Sequence, residues 1–327
     1  MAINQQLRKF LEIKEQWLEL QEKSEEKNLE NKFYDILVML LQEIDRINTT
    51  SLIEELMEII EENVFKNSTL EKDNIPALKT LQSIYFAEQG YNLKGHLFLA
   101  IILRLKILFF AKTETTLISK KMLQETHKIL ACLGLKRQSL LANQQSIIIL
   151  AGGTSKEVQH KFDLYSKNLL KAFQGYTGCV ISGGTPSGIS GIAGEIQSAY
   201  SESVHSIGYM PRTNPWNVPE DKRYASMVKT LGTDFSIFEP LQYWYDILCS
   251  DIPLLRIKLL GINGGNISAF EYRFALMFQI TTGIVQDSER EATKIFQDPY
   301  WKTKPNLRSL NHSVEDFRQI TEIKDEE

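Results

Sequence analysis

Three short glycine-rich segments carry the residue types that can hold a negatively charged small molecule. They are Ala151-Gly152-Gly153-Thr154-Ser155, Ser182-Gly183-Gly184-Thr185-Pro186-Ser187-Gly188 and Gly261-Ile262-Asn263-Gly264-Gly265-Asn266. Each closes an apolar run and opens a helical pattern. Glycine at such a turn admits positive φ and lets a ligand approach the backbone, while the helix that follows aims unpaired N–H groups at an anion. Phosphate is the natural occupant. Gly188, Gly191 and Gly194 then recur every third residue, where each costs about 1 kcal/mol relative to alanine in a helix. That repeat predicts a close approach of the helix to a strand or a ligand.

Other chemistries fail on inspection. The second turn has no lysine after its last glycine, so it is not a Walker A loop, and Thr185 interrupts a would-be dinucleotide fingerprint. No GxSxG elbow surrounds Ser187 or Ser190. The five histidines show no metal-ligand spacing, and His205, inside an apolar strand pattern, reads as a core or edge residue. Arg212, Arg223 and Lys229 lie where a cation can reach a phosphate. The segment from Asp234 to Asp246 is aromatic and acidic, a packing pattern in which Phe235 or Tyr243 can also stack on an adenine.

The elements that must position these turns follow from hydrophobic period. Ile147 to Ala151 is apolar without alternation, as in a strand of a parallel sheet covered on both faces. Further strands are predicted at Cys179–Ile181, Val204–Met210, Arg256–Gly261 and Gly283–Gln286, with helices at Lys156–Phe173 and Gly188–Tyr200 between them. Strands alternating with helices specify a doubly wound parallel sheet whose ligands bind at the carboxyl ends of the strands. The α/β domain is expected over 146–305, followed by a polar tail over 306–327 that frays.

The first 140 residues have a different grammar, with few glycines, one proline before Lys136, and Leu, Glu and Lys at helical spacing. An all-α domain is expected there. Leu7, Phe10, Leu11, Trp17 and Leu18 trace one apolar stripe, and Glu12 to Glu30 reads as a solvated face. Further helices are predicted at Asn31–Ile47, Ser51–Phe65, Ile75–Gln89, Leu93–Lys112 and Thr116–Leu135.

The 327 residues suffice for two domains with their own cores, and a net charge of -4 excludes a protein that coats nucleic acid. Three scattered cysteines form no zinc or disulfide framework, which fits a reduced, cytoplasmic protein. No export signal is visible at the start of the sequence given. The apolar stretch His96–Phe110 is too short for a bilayer span and contains Arg104 and Lys106, so it reads as a buried helix.

Ser182-Gly183-Gly184-Thr185-Pro186-Ser187-Gly188-Ile189, followed by Gly264-Gly265-Asn266 and the helix bearing Glu271, resembles the paired motifs of the SLOG superfamily. Within it the likeness is to the branch shared by prokaryotic defence-type proteins and the cytosolic region of TRPM channels. The resemblance covers about half the chain. It implies a Rossmann-like domain that either senses a nucleotide-derived ligand, of the ADP-ribose or cyclic ADP-ribose kind, or cleaves a nucleotide as the LOG phosphoribohydrolases do. Gly183, Gly184, Thr185, Ser187 and Gly188 are then expected beside the phosphates, with Gly152, Gly153 and Thr154 on the first turn. Gly264, Gly265, Asn266 and Ser268 are expected to form a second phosphate loop.

Against the LOG pattern, Asn263 stands in place of a proline, Ile267 of a glycine and Ser268 of a threonine, while Glu271 falls where the glutamate belongs. Glu271 is therefore the catalytic candidate if the protein is a nucleotide N-glycosidase, with Arg223 as its arginine. Otherwise Glu271 is expected to meet a ligand ribose hydroxyl or to pair with Arg273. The leading expectation is a nucleotide-sensing regulatory protein, with a place in anti-phage signalling implied by the resemblance and with helices that homo-oligomerise or transmit binding. An interaction protein with a vestigial pocket is the remaining alternative.

Overall fold

Ile147, Ile148 and Ile149 run on without a polar residue between them, and each is fully buried. The computed structural model describes residues 26–49, 51–53, 55, 91–113, 118–153, 161–213, 218–232 and 234–322. The isoleucine run becomes strand β1 (Ile147–Gly152), followed by α4 (Phe162–Ala172), β2 (Gly178–Ser182), α5 (Gly188–Ala199), β3 (Val204–Pro211) and β4 (Ser226–Thr230). Then come α6 (Phe238–Leu248), β5 (Ile257–Ile262), α7 (Asn266–Met277), β6 (Thr281–Val285), α8 (Arg290–Gln297), β7 (Leu307–Leu310) and α9 (Val314–Thr321). The seven strands lie in the order β4-β3-β2-β1-β5-β6-β7, and each neighbouring pair is parallel. This is a Rossmann-like doubly wound sheet.

Side chains alternate across the sheet, so the two faces take different partners. Ile148, Leu150, Val180, Leu260 and Ile262 point into one cluster with Phe162 and Tyr165 of α4, Ile192 of α5, and Phe317 and Ile320 of α9. Gly261, one residue out of phase, faces the other layer, where a side chain on it would meet the Tyr272 ring of α7 at 2.6 Å. The helices that follow β1 and β5 thus cover opposite faces.

Two strands escape the sequence pattern. β4 and β7 are the two edges of the sheet, where a strand needs one pairing partner and keeps polar residues on its wet side. Leu307 and Leu310 are buried while Arg308 and Ser309 between them are exposed. The polar tail expected over 306–327 is corrected accordingly. Through Glu322 it carries β7 and α9, because Leu307, Leu310, Phe317 and Ile320 supply a sparse apolar stripe that the sheet buries.

The chain divides into two compact units, Met1–Arg137 with Trp244–Cys249, and Gln138–Tyr243 with Ser250–Glu327. Within the first, α1 (Glu26–Asp45) buries Phe33, Leu37, Leu40, Leu41 and Ile44 at helical spacing. α2 (Tyr91–Thr113) is buried continuously from Leu97 to Phe110, including Arg104 and Lys106. α3 (Lys120–Cys132) starts at Ser119, whose hydroxyl accepts from the Met122 amide at 3.2 Å, a side-chain N-cap. The stripe Leu7–Leu18, the helix expected at Ile75–Gln89, most of Ser51–Phe65 and the start of Lys156–Phe173 lie outside the described residues. Among the described residues no helix is long and apolar enough to cross a membrane.

Candidate functional site

β1 pairs with β2 on one side and β5 on the other, so the strand order reverses between β1 and β5. At such a reversal the chains leaving the two strands diverge to opposite faces and open a crevice at the carboxyl edge. Gly152 sits at its floor with φ +150°, and a side chain there would begin 2.1 Å from the Ile262 carbonyl oxygen of β5. Only glycine lets the two strands close at that point. Gly153 faces the third turn, 3.6 Å from the Gly264 Cα when measured from where a side chain would start. The first and third glycine turns are therefore neighbours.

Beside them lies a cavity of about 310 Å³ in the α/β unit, at the small end of the range for small-molecule sites. Gly152 of the first turn lines it, as do Gly183, Thr185 and Ser187 of the second and Ser190 of α5. Ile267, Ser268 and Glu271 line it from the first turns of α7, and Tyr209 from β3. The opposite wall is the start of α6, with Phe235, Ser236, Glu239, Pro240 and Tyr243. At the N-caps of α5 and α7 stand Ser187 and Gly265, neither of which makes a side-chain cap hydrogen bond. The first-turn amides of both helices are thereby left to other acceptors.

Two carboxyl groups reach this cavity. Glu239 closes a capping box at the start of α6: the Ser236 amide donates to its Oε2 at 2.9 Å, and the Thr230 hydroxyl donates to its Oε1 at 2.5 Å. Burial pushes its carboxyl up to about 7 against those hydrogen bonds. Glu271 keeps an open edge on the cavity while protein surrounds the rest of it. The Tyr243 hydroxyl donates to its Oε1 at 3.0 Å. Burial pushes Glu271 up to about 8, opposed by the Tyr243 hydrogen bond and helped by the nearby Glu239. At neutral pH Glu271 is mostly an uncharged acid, able to donate as well as accept.

The cavity brings together Gly152, Gly183, Thr185, Ser187, Ser268 and Glu271. Gly153, Gly188, Gly264, Gly265 and Asn266 are not in its lining: Gly153 faces Gly264 and Gly265 across the crevice, Gly265 and Asn266 begin α7, and Gly188 opens α5. Thr154 lies outside the described residues. Three more of the expected residues lie outside the lining. Gly184 (φ +72°) turns away from the cavity, under Met210 and Met227, where a side chain would begin 2.5 Å from the Met227 methyl group. Arg212 is exposed and held by its backbone, its amide donating to the Gly232 carbonyl at 2.9 Å. Arg223 is engaged elsewhere: its Nη2 donates to Asp221 Oδ2 at 2.6 Å and to the Gly191 carbonyl at 3.1 Å.

That engagement also explains the glycine repeat. A side chain on Gly194 would begin 2.2 Å from Asp221 Oδ2, so α5 is glycine-rich to admit the Asp221–Arg223 pair. Arg273 is likewise turned away from Glu271, toward Glu291 at 3.3 Å and Asp298 at 3.8 Å. His205 is an edge-side residue, its Nε2 3.1 Å from the Ser226 hydroxyl of β4.

Asn263, in the position of the LOG proline, has φ +58° and is fully buried. Its amide donates to the Ser288 hydroxyl at 2.7 Å and its Nδ2 to the Ser288 carbonyl at 2.6 Å. Proline offers neither that φ nor that donor, so the departure belongs to a different way of holding the same turn.

Sequence reading missed Glu239 and Arg290. The Ser236-Ile237-Phe238-Glu239 spacing is a visible capping box, but nothing in it marks Glu239 as facing a cavity. Arg290 follows β6 with φ +52°, and its Nη2 lies 2.9 Å from where a side chain on Gly265 would begin. It is a cation beside the third turn, placed there by a loop far away in sequence. Among the described residues no group of three or more His, Cys, Asp or Glu is arranged to hold a metal ion. Cys132, Cys179 and Cys249 form no disulfide.

No protein-family model matches the chain, and no curated protein matches it. Solved structures do. The chain is similar to TM1055, a structural-genomics target, at 16% identity over 53% of this chain and 96% of that one, with a TM-score of 0.38. It is also similar to the molybdenum cofactor carrier protein of Chlamydomonas reinhardtii in two structures. One matches at 14% identity over 54% of this chain and 95% of the other, with a TM-score of 0.40. The second matches at 16% over 53% and 93%, with a TM-score of 0.37.

Proposed function

We propose that the α/β unit binds a phosphorylated adenosine-type nucleotide in the crevice between β1 and β5, and that the protein is a nucleotide sensor of the SLOG kind. The observation that carries the reading is convergence: two of the three glycine turns and the uncapped first turns of α5 and α7 line one cavity, and the third turn lies against the first. Backbone amides at helix starts hold phosphate without lysine or arginine. Phe235 and Pro240 offer an apolar wall for a base. The helical unit would pass the bound state on or serve self-association.

Calorimetry on the full chain with AMP, ADP-ribose, cyclic ADP-ribose and NAD tests the reading. At least one of them is expected to bind, and silence from all four at millimolar concentration sinks it. A real ligand at a hundred times its Kd should also raise stability by about 2.7 kcal/mol, which a vestigial pocket would not do.

One observation favours a second reading. Glu271, in the cavity and raised to about 8, has the protonation state of a general acid for N-glycosidic cleavage. No arginine lines the cavity among the described residues, so the substrate clamp that LOG-type hydrolysis would call for is missing from this wall. Release of free base from AMP, abolished in Glu271→Gln, would establish the enzyme. Binding without release establishes the sensor.

A further inference from the structure

Ser146, Thr177 and Arg256 each stand one residue ahead of a strand, before β1, β2 and β5. Because β1 pairs with both of the others, the three meet at the amino edge of the sheet, where they line a groove of about 520 Å³ in the α/β unit. Its floor is set by the protein itself. The Ser146 hydroxyl donates to the Thr177 carbonyl at 2.9 Å, and the Tyr176 hydroxyl donates to the Cys179 carbonyl at 3.0 Å. Gly178 (φ +152°) passes against them, where a side chain would begin 2.2 Å from the Ser146 hydroxyl oxygen. The groove therefore has a shaped base before any ligand arrives.

The charges above that base are left open. Arg318 lies in the last turn of α9, and Glu322, four residues on, has left the helical path (φ −76°, ψ 112°). Both line the groove and both are exposed. Neither side chain makes an ion pair or a hydrogen bond among the described residues, so water alone satisfies them. Arg256 brings a second guanidinium to the lining, Gln145 and Gln174 bring side-chain amides, and no aliphatic side chain larger than that of Ala172 lines the groove. Such a wall selects against an acyl chain and favours a small, highly polar molecule.

The charge pattern narrows the choice. Helices α4 and α9 end at this edge, and the carboxyl end of a helix carries partial negative charge, which disfavours a phosphate dianion. Guanidinium groups match carboxylates through paired N–H···O hydrogen bonds. Two arginines against one glutamate leave the lining with a net positive charge. A ligand with two carboxylates and one ammonium balances it and gives each charged side chain an opposite partner.

We propose that the groove at the amino edge is a second ligand site, which takes an acidic amino acid with its carboxylates on Arg256 and Arg318 and its ammonium on Glu322. The site is separate from the nucleotide cavity and does not rest on the nucleotide reading.

Calorimetry on the full chain with L-glutamate, glutarate and 4-aminobutyrate tests it, glutarate lacking the ammonium and 4-aminobutyrate the second carboxylate. L-glutamate is expected to bind, and each analogue about tenfold more weakly. Arg318→Ala should weaken L-glutamate about tenfold with an unchanged melting temperature, since the side chain it removes is exposed and unpaired. Glu322→Gln should bring L-glutamate down toward glutarate and leave glutarate as it is. AMP should bind equally with and without saturating L-glutamate. Neither heat nor a rise in melting temperature with millimolar L-glutamate overturns the proposal, whatever AMP does. L-glutamate binding that Arg318→Ala leaves intact, or that AMP displaces, puts the ligand elsewhere and also overturns it. Equal affinity for L-glutamate and glutarate removes the ammonium contact and with it the choice of an amino acid.

Discussion

The two edges of the sheet present two cavities, and the larger is the less suited to a nucleotide. At the carboxyl edge the cavity measures about 310 Å³, and no lysine or arginine lines it among the described residues. At the amino edge a groove of about 520 Å³ is lined by Gln145, Ser146, Tyr176, Arg256 and Arg318. Size and positive charge would select the second. Chain direction reverses the choice: α4 and α9 end beside the lower groove, with Ala172 and Thr321 in its lining, so helix carbonyls point toward it. α5 and α7 begin at the upper cavity and point amides there. The lower arginines stand among the negative ends of helices, whereas the upper cavity has backbone donors that no side chain caps. Under the proposed reading, the direction of the helices and not a count of cations marks the anion site.

The sharpest way to break this comparison is to place the same small change at each edge. Gly152→Ala puts a methyl group 2.1 Å from the Ile262 carbonyl oxygen at φ +150° and is expected to cost about 3 kcal/mol or more. Gly175→Ala, at φ +88° beside the lower groove with nothing within 4 Å, should cost only the left-handed conformation, about 1 kcal/mol. Denaturant unfolding of both variants measures the gap. Comparable losses would remove the claim that the upper edge is built around close backbone contact.

Protonation gives an effect of similar size. Glu239 and Glu271 have folded values raised to about 7 and about 8. Their contribution is therefore fully present below the ordinary glutamate range near 4.5 and lost as pH rises through 7 and 8. Stability should fall by about 4 kcal/mol between pH 5 and 9 from Glu271 alone, and Glu271→Gln should flatten that slope in a melting series. Over the same range AMP affinity should drop as the cavity gains negative charge. A flat pH profile for wild type would mean that neither carboxyl is shielded from water.

Arg223 separates structure from ligand contact. Arg223→Ala leaves Asp221, a buried carboxylate, without its partner at 2.6 Å, and should cost about 1–2 kcal/mol. AMP affinity should stay within a factor of two, because the arginine faces the Asp221 side of α5. A tenfold loss of affinity would return Arg223 to the site. The smallest effect belongs to the lower edge: the double variant Arg256→Ala and Arg318→Ala should leave AMP affinity unchanged in calorimetry, and any marked loss would move the anion site to the other end of the sheet.

The amino-acid order by itself determined the central strands, since Ile147–Ala151, Cys179–Ile181 and Arg256–Gly261 are apolar enough that only a sheet covered on both faces can hold them. It also marked the three turns, because glycine clusters between a strand and a helix have few other uses. The rest depended on the fold. β4 and β7 are half-solvated edges whose residues gain strand character only by pairing with β3 and β6. Arg223 reads as a phosphate ligand until α5 brings Gly191 and Gly194 against it, and Glu239 reads as a helix cap until α6 is laid beside α7. Composition and period are local properties of a chain. Which carboxyl meets a cavity, which arginine is already engaged and which glycine turns inward are set by neighbours tens of residues away, and only packing brings those into contact.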